Sequence, residues 1–389
     1  MTQYLAGPTV TRLLAEMGAD VVKIEQPPGG DPSRTFAIVK DGRSGYFVQQ
    51  NRGKRSLCID FDHPDGRAAL DSLLDRADVF VENYGPGVLE RRGLDWASLR
   101  QRNPRLVMAS ISGYGRDSAY SDKPAFDLIA QAMSGIMYMT GDPDGPPMPV
   151  GTSIGDVGAG VHAATAIGFA LFHRERTGEG QHCDISMVDT LFHMHEVTVQ
   201  GPSLTGMRWR PTRSGHQARI NAPMGAFKAP EGWIVIQVMQ AQWDRFCRAI
   251  GRPDLEHDER FADLNGRQKN RQELNDLIEE WMGGYETDEE VLAVLAAERI
   301  PSAPVLEPAA AIGHPYFESR QMVRTVTDPV LGELAMPGNP LRLSTQPEPL
   351  ELVAPRLGEH NAEVLAELGY DQAGMAELES AGVLQRGDT

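Results

Sequence analysis

A glycine-rich turn in the middle of the chain places a carboxylate where it could act as a nucleophile. Gly155 and Asp156 begin a long apolar segment whose spacing predicts a helix over 156–176. An aspartate at this point has two interpretations, and the pattern leaves both open. It can cap the helix, or the helix dipole can lower its pKa and keep it ionised in a dry site, ready to attack a substrate. In the second case Gly155, Gly158 and Gly160 leave room for a bulky substrate.

A second aspartate carries the same ambiguity. Asp127 precedes the helical run 128–133, so it is either an N-cap or an acid or base in a site. The histidines nearest to these segments, His162, His193 and His195, lie on predicted helices at positions that make a poor metal pair. We therefore expect no metal site.

Positive charge accompanies the loops at the ends of predicted strands. The turns at 27–34 and 83–87 follow such strands, and neither contains a dinucleotide-binding glycine motif or a Walker loop. Arg34, Arg91 and Lys123 lie in or near these loops. Each alone fits a solvated surface cation. Together they fit a site for a phosphorylated small molecule.

The elements that must position these residues alternate between strands and helices in the first half of the chain. This alternation predicts an α/β fold with a parallel sheet covered on both faces. The segments interpreted as strands are 20–25, 56–60, 78–82, 105–111 and 181–185.

The second half of the chain has a different pattern. A polar, arginine-bearing stretch predicts a linker over 201–224, and a hairpin around 225–236 followed by helical runs predicts a smaller α+β domain with a return linker over 225–324. We expect 1–200 to form the large domain, completed by 325–389. A length of 389 residues agrees with two domains.

Composition excludes several classes of partner. The chain has 54 acidic and 37 basic residues, a net charge of −17, which disfavours binding to nucleic acid or to an anionic membrane. Its three cysteines are far apart and favour a reducing compartment. No stretch reaches the ~20 uninterrupted apolar residues of a membrane span, and the start lacks the pattern of a signal peptide. We expect a cytoplasmic protein.

Seven segments of the chain, taken in order, form one pattern: 20–25, 29–34, 51–56, 81–87, 155–156, 175–181 and 357–360. Together they resemble one known family, the class III CoA-transferases, which include formyl-CoA transferase and carnitine CoA-transferase and are related to the α-methylacyl-CoA racemases. The resemblance implies a large Rossmann-like domain, a small domain and an interlocked homodimer. It also implies coenzyme A, bound as an acyl-CoA substrate, no metal, and a free carboxylic acid as the second substrate, for which a dicarboxylic acid is one candidate.

The resemblance also assigns roles to single residues. Asp156 matches the nucleophile, which attacks the acyl-CoA thioester and passes through an aspartyl-acyl anhydride and an aspartyl-CoA thioester. Many relatives have an arginine where this chain has Gln26, so Arg34 is expected to supply that charge. The other residues expected around coenzyme A are Leu5, Ala6, Ile59, Asn83, Tyr84, Gly85, Arg91, Lys123 and Asp127.

Two alternatives remain beside transfer. A 2-methylacyl-CoA racemase or epimerase needs two bases, which racemases place just before Asp127 and near Gln240; here Phe126 and Gln240 supply neither, which favours transfer. A CoA-binding protein without catalytic activity is the other alternative.

Overall fold

The protein folds into two units that are built from alternating stretches of the chain. The structure is a computed structural model that describes residues 1–345 and 352–387. The first unit comprises 1–136, 150–196 and 312–389, and the second comprises 137–149 and 197–311.

Parallel strands form the centre of the first unit. The strand Val21–Glu25 pairs with Lys54–Cys58, and Val107–Ser112 lies between Val79–Glu82 and His182–Ser186 in a three-stranded sheet. The residues of Val107–Ser112 are buried up to Ile111, as expected for a parallel strand that is covered on both faces. The parallel α/β arrangement predicted from the sequence is confirmed.

Helices and two short antiparallel pairs complete the first unit. The paired strands are Val39–Lys40 with Arg43–Ser44 and Val323–Asp328 with Gly332–Pro337. The helices are Ala6–Glu16, Gly45–Asn51, Pro64–Arg76, Trp96–Arg102, Asp127–Ser134, Ile154–Thr177, Met187–His193, Pro315–Ser319, Asn361–Leu368 and Gln372–Ser380. A short helix, Ile136–Met139, follows Asp127–Ser134 in the chain.

One helix, predicted over 187–199, ends at His193 in the structure. The last three residues of the predicted range, Val197, Thr198 and Val199, are β-branched and lose side-chain freedom in a helix, which disfavours a helix that continues to 199.

The helix Ile154–Thr177, called the long helix below, packs against Ala6–Glu16 and Val107–Ser112. It ends at Gly178, whose left-handed backbone (φ 81°) allows the chain to turn. By length and composition the long helix is apolar enough to cross a membrane, a test that the core helix of a soluble protein also passes. Its buried seam consists mainly of small residues, which let the neighbouring backbones approach: Ala159, Ala163, Ile167 and Ala170.

The C-terminal part of the first unit packs against its N-terminal part. Ile59 forms a β-bridge with Leu384, and the N–H of Cys58 donates to Asn361 Oδ1 at 2.9 Å. These contacts tie the end of the strand Lys54–Cys58 to residues 303 and 325 positions further along the chain. Parts of the predicted completing segment, 346–351 and 388–389, lie outside the described residues.

The second unit contains an antiparallel sheet with strand order Ser302–Pro304, Trp233–Gln237, Met224–Lys228. In its middle strand Ile234 and Ile236 are fully buried and their neighbours are exposed, so one face of the sheet covers a core. The helices of this unit are Gln200–Leu204, Trp243–Ala249, Leu264–Lys269, Arg271–Met282 and Asp288–Ala297.

Candidate active site

Asp156 lies in the first turn of the long helix. The N-cap is Ser153 and the helix begins at Ile154, so the interpretation of Asp156 as the N-cap is wrong. Its carboxylate oxygens have no hydrogen-bond partner within the described part of the chain. The side chain is half-buried. Asp156 is therefore an unpaired carboxylate at the positive end of a helix dipole.

The pKa of Asp156 is raised to about 6, first by burial and then by the negative charge of Asp127. The expectation that the helix dipole lowers this pKa is wrong, because the loss of hydration and the neighbouring carboxylate outweigh the dipole. At pH 7 roughly nine tenths of the Asp156 side chains are still ionised. A carboxylate with this raised pKa is more basic than one in water, and therefore a better nucleophile.

Asp127 caps a helix, but not its own. Its helix begins at Asp127 itself, with Phe126 in the N-cap position. Asp127 Oδ1 instead accepts the backbone N–H of Gly155 at 2.7 Å and that of Asp156 at 3.3 Å. The first N–H groups of a helix have no partner within the helix, so Asp127 supplies one to the turn that carries Asp156. The expectation that Asp127 caps the run 128–133 is wrong.

Gln131 lies beside Asp127 and was missed in the sequence. Its Nε2 donates to Asp127 Oδ2 at 2.7 Å, and its Oε1 accepts the N–H of Val150 at 2.9 Å. Gln131 is fully buried. The available signal was a polar residue one helical turn after Asp127, a spacing that brings two side chains together.

Tyr46 is a second residue that the sequence analysis missed. Burial raises its pKa, and the negative charges of Asp156 and Asp31 raise it further. Its ring contacts Phe36 edge-on at 5.3 Å, and Phe36 contacts Tyr4 at 6.0 Å. These three aromatic rings form an apolar cluster, and one of them, Tyr46, is close enough to Asp156 for the charge of that carboxylate to raise the tyrosine pKa.

The residues expected near coenzyme A at the start of the chain are held by Asn83. Asn83 Oδ1 accepts the N–H of Gln3 at 2.9 Å, and its Nδ2 donates to the Gln3 carbonyl at 2.9 Å. This pair brings Leu5 and Ala6, both buried at the start of the helix Ala6–Glu16, close to the turn that follows Val79–Glu82.

Three further residues are expected near coenzyme A: Tyr84 and Gly85 in that turn, and Ile59 after another strand. Burial raises the pKa of Tyr84 to about 12, and its N–H donates to Glu82 Oε2 at 3.0 Å. A Cβ built at Gly85 would have no atom within 4 Å, so the space beside it is open. Ile59 is fully buried directly after the strand Lys54–Cys58.

Arg91 and Lys123 are exposed cations. Neither has a carboxylate within ion-pair distance among the residues that the structure describes. The Nζ of Lys123 lies 3.6 Å from the centre of the Tyr120 ring. Both charges are therefore available to an anionic ligand.

Arg34 is bound differently. It is 9% exposed, its Nε and Nη2 donate to Glu25 at 2.8 and 2.7 Å, and its guanidinium lies 3.9 Å from the centre of the Phe47 ring. A phosphate would have to compete with this buried ion pair.

The glycines at the start of the long helix serve packing. A Cβ at Gly155 would lie 2.9 Å from Asp127 Oδ1, and a Cβ at Gly160 would lie 2.8 Å from Thr9. A Cβ at Gly158 would lie 3.1 Å from the methyl groups of its neighbours. The expectation that these glycines make room for substrate is corrected, since protein atoms already occupy that space.

The three histidines contact one another or the backbone. The rings of His162 and His193 are 6.0 Å apart, and His195 Nε2 lies 2.8 Å from the Ser134 carbonyl. Within the described ranges there is no group of three or more His, Cys, Asp or Glu side chains placed to hold a metal ion.

The structure combines a parallel α/β fold with an unpaired carboxylate at the start of its long helix. Comparison with known proteins identifies the family: residues 1–361 match the model of CoA-transferase family III. The chain belongs to this family. It is a CoA-transferase, which moves coenzyme A from an acyl-CoA thioester to a free carboxylic acid.

Relatives and solved structures agree with this assignment. The chain is 41% identical to a succinyl-CoA:mesaconate CoA-transferase of Haloarcula hispanica, over 95% of this chain and 94% of that protein. It is 37% identical to a formyl-CoA:oxalate CoA-transferase of Streptomyces avermitilis, over 99% and 97%. A crystal structure of a CaiB/BaiF family protein from Brucella suis superposes with a TM-score of 0.83 at 33% identity, covering 95% of this chain and 97% of that one.

Proposed function

We propose that Asp156 is the covalent nucleophile of this CoA-transferase. The observation that carries the proposal is the Asp156 carboxylate itself, which is unpaired, half-buried and has a pKa raised to about 6. These properties favour attack on a carbonyl over a structural role, because a structural carboxylate is normally hydrogen-bonded.

The reaction follows from carboxylate chemistry. Asp156 Oδ attacks the thioester carbonyl, the C–S bond breaks, and coenzyme A leaves as a thiolate from an aspartyl-acyl anhydride. The thiolate attacks the aspartyl carbonyl, which releases the donor acid and leaves an aspartyl-CoA thioester. The acceptor carboxylate then attacks the aspartyl-CoA thioester, which gives a second anhydride and frees the thiolate. The thiolate attacks the acceptor's carbonyl in that anhydride, which gives the new acyl-CoA and regenerates Asp156. No net proton transfer is needed, but water must be excluded from the anhydride.

Coenzyme A is proposed to bind at the loops around the parallel strands. Arg91 and Lys123 are the proposed phosphate ligands, because they are exposed and unpaired in the described part of the chain. Arg34 is proposed to act indirectly by holding the turn that follows Val21–Glu25, since Glu25 already binds its guanidinium. The remaining proposed contacts are Leu5, Ala6, Ile59, Asn83, Tyr84 and Gly85.

The acceptor is proposed to be a dicarboxylic acid. The names of the two relatives above contain succinyl-CoA, mesaconate and oxalate, all derived from acids with two carboxyl groups. Incubation of the enzyme with pooled acyl-CoAs and mono- and dicarboxylic acids, read by mass of the new thioesters, identifies the pair.

The protein is proposed to be a cytoplasmic, interlocked homodimer. The long helix exposes large apolar side chains, with Phe169 71% and Phe172 61% exposed in the single chain. An apolar patch of this kind marks a protein interface, and light scattering at low micromolar concentration should give twice the mass of the chain. Three free thiols fit a reducing compartment.

Isotope exchange tests the nucleophile. We expect the Asp156→Ala enzyme to lose exchange of labelled free acid into acyl-CoA by at least a thousandfold, while still binding coenzyme A. Retention of wild-type exchange in that variant would refute the proposal. In deuterated water the α-carbon of a 2-methylacyl-CoA should gain no deuterium, which separates transfer from racemisation.

A further inference from the structure

We propose that Gln131 is a positioning residue of the transferase, which fixes the carboxylate that caps the turn of Asp156. The inference rests on the nucleophilic role proposed for Asp156. Gln131 does not touch the substrate in this account. It acts on Asp156 through Asp127 and through the segment that leads into the long helix.

The first contact is with Asp127, four residues earlier on the same helix. Gln131 Nε2 donates to Asp127 Oδ2 at 2.7 Å. The other oxygen, Oδ1, accepts the N–H groups of Gly155 at 2.7 Å and Asp156 at 3.3 Å. Because each oxygen has its own partner, the Asp127 carboxylate cannot rotate without breaking a hydrogen bond.

The second contact is with the segment before the long helix. Gln131 Oε1 accepts the N–H of Val150 at 2.9 Å, and Nε2 also lies 3.4 Å from the Thr152 carbonyl. These partners fix the direction of the amide, since the flipped amide would place its NH2 against the Val150 N–H and its oxygen against Asp127. One side chain thus holds both the cap and the entry to the helix.

Burial makes the loss of these hydrogen bonds costly. Gln131 is 0% exposed and Asp127 is 8% exposed, so water cannot readily replace a lost partner. The approach of the two chain segments is close, because a Cβ on Gly155 would lie 2.9 Å from Asp127 Oδ1. Loss of the Gln131 amide therefore leaves a buried carboxylate oxygen and the Val150 N–H without partners.

The consequence for catalysis follows from the freedom of Asp156. Its carboxylate has no hydrogen bond of its own in the described part of the chain, so its position depends on the backbone that carries it. Attack needs the carboxylate oxygen about 3–3.5 Å from the thioester carbon, and a displacement of about 1 Å can cost a hundredfold in rate. In the described part of the chain Gln131 has Asp127, Val150 and Thr152 as hydrogen-bond partners, and neither Arg91 nor Lys123 is among them. A change at Gln131 should therefore lower kcat and leave the KM for acyl-CoA unaltered.

Three variants test this role in the full-length enzyme. Gln131→Met keeps the length of the side chain and removes its hydrogen bonds, and we expect kcat to fall 10- to 100-fold with the KM for acyl-CoA within twofold of wild type. Gln131→Glu sets two carboxylates against each other and should lower kcat further. Combining it with Asp127→Asn again pairs one carboxylate with one amide, and we expect at least a tenfold recovery of kcat over Gln131→Glu alone. This recovery distinguishes positioning of the Asp127 group from a general need for a glutamine in the core.

Asn103 provides the matched control. Its amide also holds backbone groups, donating to the Leu74 and Ala77 carbonyls at 3.3 and 3.0 Å and accepting the N–H of Arg105 at 3.2 Å. Asn103→Leu should lower the melting temperature and leave kcat within twofold of wild type.

Three results would overturn the inference: wild-type kcat in Gln131→Met, a fall in kcat of Asn103→Leu equal to that of Gln131→Met, or no recovery in the Asp127→Asn, Gln131→Glu pair. The pair still decides the question if Gln131→Met fails to fold. Asp156→Ala separates this inference from the proposed function. Activity retained in that variant would refute the role of Asp156 as the nucleophile, on which the inference rests. An inactive Asp156→Ala with fully active Gln131 variants refutes only the role of Gln131.

Discussion

The carboxylate of Asp127 accepts the backbone N–H of Asp156 at 3.3 Å, so one aspartate caps the helix turn that carries the other. The same geometry places two negative charges close together, so that burial and, after it, the charge of Asp127 raise the pKa of Asp156 to about 6. Asp127 therefore contributes both to the position and to the basicity of the proposed nucleophile.

Replacement of Asp127 by asparagine should separate these two effects. The variant keeps an oxygen that can accept the Gly155 N–H, but it removes the charge that raises the pKa of Asp156. From the pKa of about 6 for Asp156 we expect an acid limb of the kcat/KM profile near pH 6 in the wild type and at lower pH in the variant. An acid limb that stays in place would show that Asp127 does not set the basicity of Asp156.

Replacement of Asp156 by asparagine should stabilise the fold at neutral pH. Because the folded-state pKa of Asp156 is raised from 3.8 to about 6, ionisation costs stability increasingly between pH 4 and 6 and fully above it. The gain for Asp156→Asn should be about 1–3 kcal/mol at pH 8 and should disappear near pH 4. Urea unfolding of both proteins across this range measures it, and a gain that grows towards acid pH would contradict the raised pKa.

The two kinds of arginine should respond differently to substitution. Arg91→Gln should raise the KM for acyl-CoA about tenfold, because it removes one charge-assisted contact to a phosphate. The kcat should be unchanged, and the KM should depend less on salt concentration. Arg34→Gln leaves Glu25 buried without its partner and should lower the free energy of unfolding by about 3–5 kcal/mol. The reverse pattern, a stability loss at Arg91 and a pure KM effect at Arg34, would exchange their proposed roles.

Two glycines of the long helix form a matched pair for packing. A Cβ at Gly160 would lie 2.8 Å from Thr9 and 3.0 Å from the Ala6 carbonyl, so Gly160→Ala should destabilise the protein by about 1–3 kcal/mol. A Cβ at Gly168 would have no atom within 4 Å, and Gly168→Ala should stabilise it by about 0.5–1 kcal/mol. Thermal unfolding of the two variants decides this, and equal effects would contradict the close approach of the two helices.

Much of the fold was predictable because its elements have strong local patterns. The strand Val107–Ser112 is mostly apolar, and the long helix has a regular apolar spacing that ends in a glycine. The end of the helix Met187–His193 was predicted too late, since apolar residues continue past it while their β-branched side chains disfavour the helix.

The site was less predictable because its contacts join distant segments. The family pattern pointed to Asp156 and Asp127, but no local signal shows that Asp127 caps a helix 28 residues further on. The raised pKa of Asp156 depends on burial and on that same contact. Tyr46 and Gln131 lie in unremarkable helical runs, and only the folded structure brings them to the two aspartates.

Chemical trapping of the acyl-enzyme tests the central claim most directly. The enzyme is mixed with acyl-CoA in the absence of acceptor, quenched with hydroxylamine, digested and analysed by peptide mass. If Asp156 is the nucleophile, the peptide that contains it, and no other, gains about 15 Da relative to the free acid, because hydroxylamine converts the activated carboxyl group to a hydroxamate with loss of water. An unmodified Asp156 peptide from enzyme that is still turning over would contradict it.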